Sequence, residues 1–204
     1  MDPLEHRADS PAPDRGTGPR SEWASALPTT AREVEDFLAE TGWDQPPQLF
    51  ALVPTAQLLR AEPDLAQRLP TSEGLTPVAQ EPLRAEDLAE TLAGICWPEQ
   101  VTGCALAQEI VVLPPEAEAE LDRAMSDAGA AGGSPAELNH VALRMAQRHP
   151  DRREARLVVA VLRAGEHCCL LRLRGVGEGP DELVERPDLA PNMVSALLHT
   201  LDPD

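Results

Sequence analysis

Two apolar stretches that flank a short turn signal set the fold class of this chain. Residues 156–163 and 167–174 both have the composition of β-strands, and Ala164-Gly165-Glu166 between them is typical of a β-hairpin. Further strands are predicted at 48–53, 75–80 and 101–113. Because the predicted elements show no regular βαβ alternation, we expect an α+β fold. It should be a single domain with a mainly antiparallel sheet of about five strands covered by helices.

Apolar spacing and helix-start signals predict the helices. A capping box with Thr30 as N-cap begins the first one, and its apolar stripe is Val34, Phe37 and Leu38. The others are predicted at 55–69 with a break at Pro63, at 84–94, at 116–124, after Ser134 and from Pro191. The buried face of the helix after Ser134 is expected to be Leu138, Val141, Ala142 and Met145.

The length of 204 residues is sufficient for one domain with a hydrophobic core. Residues 1–28 contain five prolines among charged and small residues, so we expect a disordered acidic tail. The single α+β domain should span residues 29–202, with a flexible linker near 125–134. Residues 175–180 are expected to form a loop.

Charge and composition exclude several classes of function. The chain has 35 acidic residues and 17 basic residues, all of them Arg, which gives a net charge of −18. Nucleic acids and anionic membranes attract basic surfaces, so we expect no nucleic-acid partner and no membrane partner. The chain contains no Lys and no Tyr, which removes a catalytic lysine and a tyrosine proton donor.

The expected location is the cytoplasm. The N-terminus lacks the apolar core of a secretory signal, and no run of about 18 apolar residues is present to span a bilayer. The cysteines are expected to be reduced thiols. Their spacing is not typical of a zinc site. Cys96 and Cys104 are far apart in sequence for paired ligands, and Cys168 and Cys169 are adjacent beside His167. We therefore expect no metal and no cofactor.

Arginines are concentrated between residues 144 and 174, where eight of them accompany three acidic residues. Three interpretations are open. The arginines pair with the acidic half of the same chain, pair with another subunit, or bind an anionic partner through their guanidinium forks. We favour pairing within the chain or between subunits, because so much excess negative charge lies in the same polypeptide.

Four segments are similar to those of one protein family. They are Gly42-Trp-Asp-Gln-Pro-Pro-Gln-Leu-Phe-Ala-Leu-Val-Pro-Thr55, the segment from Trp97 to Pro115, His149-Pro-Asp-Arg152, and the hairpin that ends at Arg174. On these segments residues 30–202 resemble a family of uncharacterised conserved proteins from high-GC Gram-positive (actinobacterial) bacteria. The resemblance implies that the protein comes from such a bacterium. It implies no catalytic residue, cofactor or partner.

The sharpest polar group, called here the His149 cluster, consists of His149, Asp151 and Arg152. As a functional site, it provides an acid–base pair beside an anion-binding arginine. As a structural feature, it is the end of a helix followed by a turn at Pro150 and Asp151. We favour the structural interpretation.

A second candidate ligand site is the helix-to-strand junction that holds Trp43, Asp44 and Gln45, and Arg156 of the Arg-rich hairpin is a further candidate ligand residue. An aromatic ring beside polar side chains can line a ligand pocket. Such a tryptophan more often packs in the core, and the same holds for Trp97.

These features favour a non-enzymatic binding or adaptor protein with a protein partner. The alternatives are an enzyme of unfamiliar type that uses the His149 cluster, and an anion- or metabolite-sensing regulator that uses the Arg-rich hairpin. The enzyme requires His149 and a carboxylate to converge in a concave pocket. The sensor requires arginines such as Arg156, Arg163 and Arg172 to meet at one place.

Overall fold

A six-stranded antiparallel sheet forms the centre of the computed structural model, which describes residues 23–67, 69, 73–84, 88–130, 132, 134–177 and 179–201. The strands are β1 (Gln48–Pro54), β2 (Leu75–Ala79), β3 (Gly103–Val112), β4 (Arg153–Leu162), β5 (His167–Leu173) and β6 (Glu182–Glu185). Their order is β2-β1-β3-β4-β5-β6, and every neighbouring pair is antiparallel. The predicted fold class and the β4–β5 hairpin are confirmed, with six strands instead of about five.

Helices cover both faces of the sheet. They are α1 (Leu27–Thr41), α2 (Thr55–Ala61), α3 (Leu88–Ala93), α4 (Pro115–Ala130), α5 (Pro135–Arg148) and α6 (Pro191–Leu201), and a 3-10 helix spans Pro63–Gln67. A strand that is buried on both faces needs a continuous apolar sequence. The eight residues of β4 from Ala155 to Leu162 are all buried, although Arg156 is among them.

The first face of the sheet packs against α1. Leu27, Ala31, Val34 and Leu38 of α1 meet a layer formed by β1, β3, β4 and β5. Several residues of this layer are small, including Ala105 and Ala160, which allows the helix backbone to approach the sheet closely.

The predicted start of α1 was wrong by one turn. The helix begins at Leu27 and has Pro28 in its first turn. Proline is tolerated there because backbone N–H groups of the first turn have no acceptor within the helix. Thr30 is therefore inside the helix, and its hydroxyl donates to the Ala26 carbonyl. The predicted stripe also changes, because Phe37 is 52% exposed and Glu35 is buried in its place.

The second face of the sheet packs against α3 and α6. Val194, Leu197 and Leu201 of α6 contact a core that includes Leu106 and Val159 from the central strands. Helices α4 and α5 pack against each other, and α5 also contacts β3. Their small cluster is Leu113, Ala117 and Ala146, with Val111 and Leu121 beside it.

Four further expectations differ from the structure. Strand β6 follows the predicted 175–180 loop and was not expected. Helix α4 continues to Ala130, so part of the predicted 125–134 linker is helical. The helix expected at 84–94 is described only from Leu88 to Ala93, and Arg84 precedes it outside any helix. On α5, Val141 and Met145 are exposed and Ala146 is buried, so the expected buried face was wrong at those two positions, and the Leu138 side chain lies outside the described part of the structure.

Most of the predicted disordered tail, residues 1–22, lies outside the described residues. Among the helices of the described part, none has both the length and the apolar composition needed to cross a membrane.

Candidate functional site

A buried carboxylate lies under α1 at one end of the first face. Glu35 is 1% exposed, and it binds Arg172 through both carboxylate oxygens. It also lies 3.5 Å from Nη1 of Arg156, whose side chain is 2% exposed. Donating to Glu35 raises the pKa of the Arg172 guanidinium above its ordinary value. Two positive charges from neighbouring strands therefore share one buried negative charge.

Strand register brings these charges together. Glu109 on β3 lies opposite Arg156 on β4, and Arg156 lies opposite Arg172 on β5. Residues directly opposite each other project from the same face of a sheet, so the three side chains form a row across the strands. We call Glu35, Glu109, Arg156 and Arg172 the buried charge network.

The network also fixes the chain between α1 and β1. Arg156 donates to the Gly42 carbonyl and, at 3.3 Å, to Oε1 of Glu109. The same Glu109 carboxylate accepts the backbone N–H groups of Asp44 at 2.9 Å and Gln45 at 3.1 Å. Asp44 has a φ of 67°, a conformation that aspartate tolerates better than most residues. The acceptors on Glu109 thus hold an unusual backbone turn against the sheet.

Trp43 lies over two guanidinium groups. Its ring centroid is 4.9 Å from Cζ of Arg156 and 5.2 Å from Cζ of Arg174. These distances are those of cation–π contacts. The structure thus brings Trp43, Asp44, Gln45 and Arg156 together, and Glu109 contacts Asp44, Gln45 and Arg156.

Arg174, which contacts Trp43 next to the network, also lines an open cleft. We call this the arginine cleft, and its lining residues are Arg152, Arg153, Glu154, Arg174, Gly175 and Val176. It has a volume of about 300 Å³ and opens to solvent. Arg174 pairs with Glu154, and Nη2 of Arg153 donates to the Arg174 carbonyl at 3.3 Å. Val176, at the edge of the cleft, is 79% exposed.

The His149 cluster is divided between a turn and this cleft. Nδ1 of His149 accepts the backbone N–H of Asp151 at 3.2 Å, and the His149 carbonyl accepts the backbone N–H of Arg152 at 3.3 Å. This is the geometry of a chain that turns after α5. The contact between His149 and Asp151 therefore uses the Asp151 backbone, whereas Arg152 lines the arginine cleft.

Arg163 lies at the opposite end of β4 from the arginine cleft. It donates to the carbonyls of Trp97, Pro98, Val101 and Leu201. The Trp97 indole N–H donates to Thr200 Oγ1 at 3.0 Å, and its ring packs in the second-face core. Arg163 and Trp97 thus attach the end of α6 to the segment before β3. The three arginines proposed for a sensor occupy two separate places.

Three of the four cysteines are buried thiols, and Cys96 is exposed. Burial raises the pKa of Cys104 to about 11, against weaker opposing effects from Thr200 and Trp97. Burial also raises the pKa of Cys168 to about 11, with Glu185 adding to the effect. Among the described residues, no three His, Cys, Asp or Glu side chains are grouped as metal ligands would be.

Sequence reasoning missed Glu35 and Glu109 as parts of this site. Glu35 stands in the apolar stripe of α1, four residues after Ala31. Glu109 follows Ala105 and Ala107 at alternate positions of β3 and so lies on the same buried face. In both cases the signal was a carboxylate at a position where the periodicity requires an apolar residue.

Comparison with known protein families gives a match. The family described as PPA1309-like protein matches residues 27–202, a range that includes every helix and strand from α1 to α6. No curated protein and no solved structure matches the chain.

Proposed function

The chain belongs to the PPA1309-like protein family, and we propose that it acts as a non-enzymatic binding or adaptor protein in the cytoplasm of an actinobacterial host. We further propose that its partner binds at the end of the sheet where the arginine cleft lies. The fold alone does not carry this proposal, because one fold serves many functions.

The observation that carries the proposal is the use of the buried charges. Glu35 and Glu109 neutralise Arg156 and Arg172, and the same groups hold α1 and the 42–45 turn on the sheet. A catalytic group must instead be available to a substrate. Charges that are already paired within the chain support a structural role for the network and leave recognition to the surface.

The surface next to the network has the properties of a recognition site. The arginine cleft is open, and it is adjacent to the exposed apolar side chain of Val176. Arginine is enriched in the core of protein interfaces, and that core is more apolar than the rest of the protein surface. In the His149 turn, by comparison, the described contacts of His149 are with backbone groups, and no carboxylate of the described residues is hydrogen-bonded to its ring.

Site-specific photo-crosslinking tests the proposal. A photo-crosslinking amino acid replaces Val176 in one variant and Ala164 in the other, and both are irradiated in lysate of the host. These residues lie in the loops at opposite ends of β5, and both are exposed. The position at Val176 should give a discrete protein adduct that excess unmodified protein competes away, and the position at Ala164 should give none.

A second substitution links the adduct to the cleft. Arg152→Glu reverses the charge of an exposed side chain and should strongly reduce the adduct at Val176. His149→Ala should leave it unchanged. Equal labelling from the two crosslinker positions, or no labelling from either, would contradict a binding role for this end of the molecule.

A further inference from the structure

The structure assigns a ligand class to the arginine cleft: we propose that it binds a phosphate dianion, as a small phosphate compound or on a phosphorylated side chain. This inference deepens the proposed binding function and rests on it. The shared chemistry is a tetrahedral group with two negative charges.

Charge is the first argument. Three guanidinium groups and one carboxylate give the cleft lining a formal charge of +2. The whole chain has a net charge of −18, so this concentration of positive charge opposes the general trend of the molecule. Two further acids lie beside the lining: Asp181 Oδ1 accepts the Gly175 N–H at 2.8 Å, and Glu182, which is 65% exposed, lies 3.9 Å from Nη1 of Arg153.

Free donors are the second argument. The Arg152 side chain makes no ion pair or hydrogen bond with any described residue, and it is exposed. In the described part of the chain the contacts of the Arg153 guanidinium are long: Nη2 donates to the Arg174 carbonyl at 3.3 Å, and Nη1 lies 3.9 Å from Glu182. Guanidinium groups with unused N–H donors form strong charge-assisted hydrogen bonds to phosphate oxygens.

Positioning is the third argument. Trp43 lies over Arg174, and Glu154 pairs with the same guanidinium, so Arg174 is oriented before any ligand arrives. The cleft wall is closely packed at Gly175, where an added Cβ would lie 2.0 Å from the Gly179 carbonyl oxygen. Preorganised donors reduce the entropy lost on binding.

Shape distinguishes phosphate from carboxylate. Arg152 and Arg153 lie at the beginning of β4, and Arg174 follows β5, so the three arginines approach the cleft from two strands. A planar carboxylate is satisfied by one arginine fork, whereas a phosphate presents three oxygens to several donors. The volume of about 300 Å³ accommodates the group, and the open side allows its substituent to extend into solvent.

The test is an NMR titration of the full chain at constant ionic strength. Inorganic phosphate, O-phosphoserine and acetate are added separately, and the backbone amides of residues 152–154 and 174–177 are followed. We expect saturable shifts at these amides for both phosphate compounds, with a dissociation constant of about 1 mM or below. Acetate should bind at least about tenfold more weakly.

Substitutions at Arg152 provide the matched comparison. Arg152→Ala should weaken phosphate binding about tenfold, and Arg152→Lys should recover part of the loss because it keeps the charge without the fork. Arg186→Ala removes the same charge near the far end of β5, where the Arg186 N–H binds the Cys169 carbonyl, and should change little. Shifts that do not saturate, equal effects of Arg152→Ala and Arg186→Ala, or acetate binding as tight as phosphate would overturn the proposal.

The titration also distinguishes the source of the ligand. A phosphoserine-containing peptide that binds at least about tenfold more tightly than O-phosphoserine identifies a phosphorylated protein, and equal affinity identifies a small phosphate compound. If phosphate fails to bind while the crosslinked adduct at Val176 persists, the adaptor function stands and this inference falls.

Discussion

Glu35 occupies a core position of α1, and two arginines from β4 and β5 depend on it. Removing charges from water is costly, and a buried pair recovers that cost only when its geometry is good. Here Arg172 binds both oxygens of Glu35, and Arg156 has further acceptors on Gly42 and Glu109. Removing one charged group of this network should therefore destabilise the fold strongly, because its partners would be left buried without a counter-charge.

Glu35→Gln should destabilise the fold by about 3–5 kcal/mol, because it leaves Arg156 and Arg172 near a neutral amide. The free energy of unfolding in urea is the measurement. Asp36→Asn is the matched control, since Asp36 is the next residue in α1 and is 76% exposed. The control should change stability by less than about 0.5 kcal/mol. Equal effects of the two substitutions would show that the buried carboxylate contributes nothing special.

The buried thiols give the protein an alkaline pH dependence. The chain contains no Lys and no Tyr, so cysteines are the side chains that titrate between pH 9 and 11. The pKa of Cys104 is raised from 9.0 to about 11 in the folded state. A raised pKa contributes stability that is complete below the unfolded pKa and is lost as pH rises through the folded pKa.

Stability should therefore fall by about 1 kcal/mol between pH 8 and pH 10 for each such thiol. Urea unfolding at pH 8, 9 and 10 measures this slope. Cys104→Ser should reduce the slope, and combining it with Cys168→Ser should reduce it further, because both pKa values are about 11. Cys169, whose pKa is also raised by burial, accounts for what remains. A slope that is unchanged in the double variant would contradict this explanation.

At the scale of elements, Gly103 determines how closely β3 approaches β4. A glycine inside a strand can mark a bulge or a close backbone approach, and the structure shows a close approach here. A Cβ at Gly103 would lie 2.3 Å from the Val161 carbonyl oxygen and 2.8 Å from a Leu162 side-chain carbon. Neither partner can move away freely, because both belong to the buried part of β4.

Gly103→Ala should destabilise the protein by about 3 kcal/mol or more, since the strands must separate to admit one methyl group. Gly94→Ala is the control, because a Cβ there would meet its nearest atoms at 3.6 and 3.8 Å. It should alter stability by less than about 1 kcal/mol. Thermal or urea unfolding of both variants tests the difference, and equal losses would show that strand separation is not the cause.

Sequence reasoning worked for elements with a strong local signal. Strands β1, β3, β4 and β5 were predicted because apolar side chains occupy both faces of each. It failed for β6, since Glu182–Glu185 is a short edge strand with two charged ends. The candidate site was only partly foreseen for a different reason. The contact between Trp43 and Arg156 depends on the pairing register of β3 and β4, and this register could not be predicted from a single sequence.

For the whole molecule, the dominant property is the net charge of −18. The buried charge network is compensated internally, so excess negative charge remains on the surface, where α4 carries exposed acids such as Glu116, Glu118 and Glu120. Repulsion among surface charges opposes the compact state. Exposed ion pairs such as Arg186–Asp188 favour it, but each is worth at most about 1 kcal/mol.

Salt weakens both the repulsion among surface acids and the attraction within exposed ion pairs. Because acids are in large excess, the loss of repulsion should dominate, and added salt should stabilise the fold. The Debye length falls from about 30 Å at 0.01 M to about 8 Å at 0.15 M, which screens long-range repulsion while leaving short or buried pairs largely intact. The thermal midpoint should therefore rise by about 3 °C or more between 10 and 150 mM NaCl, equivalent to about 1 kcal/mol. The double variant Glu118→Gln, Glu120→Gln changes the net charge from −18 to −16 and should show a smaller rise. If the midpoint instead falls with salt, exposed ion pairs outweigh the repulsion, and the surface acids must then be organised around arginines more extensively than the contacts of the described residues indicate.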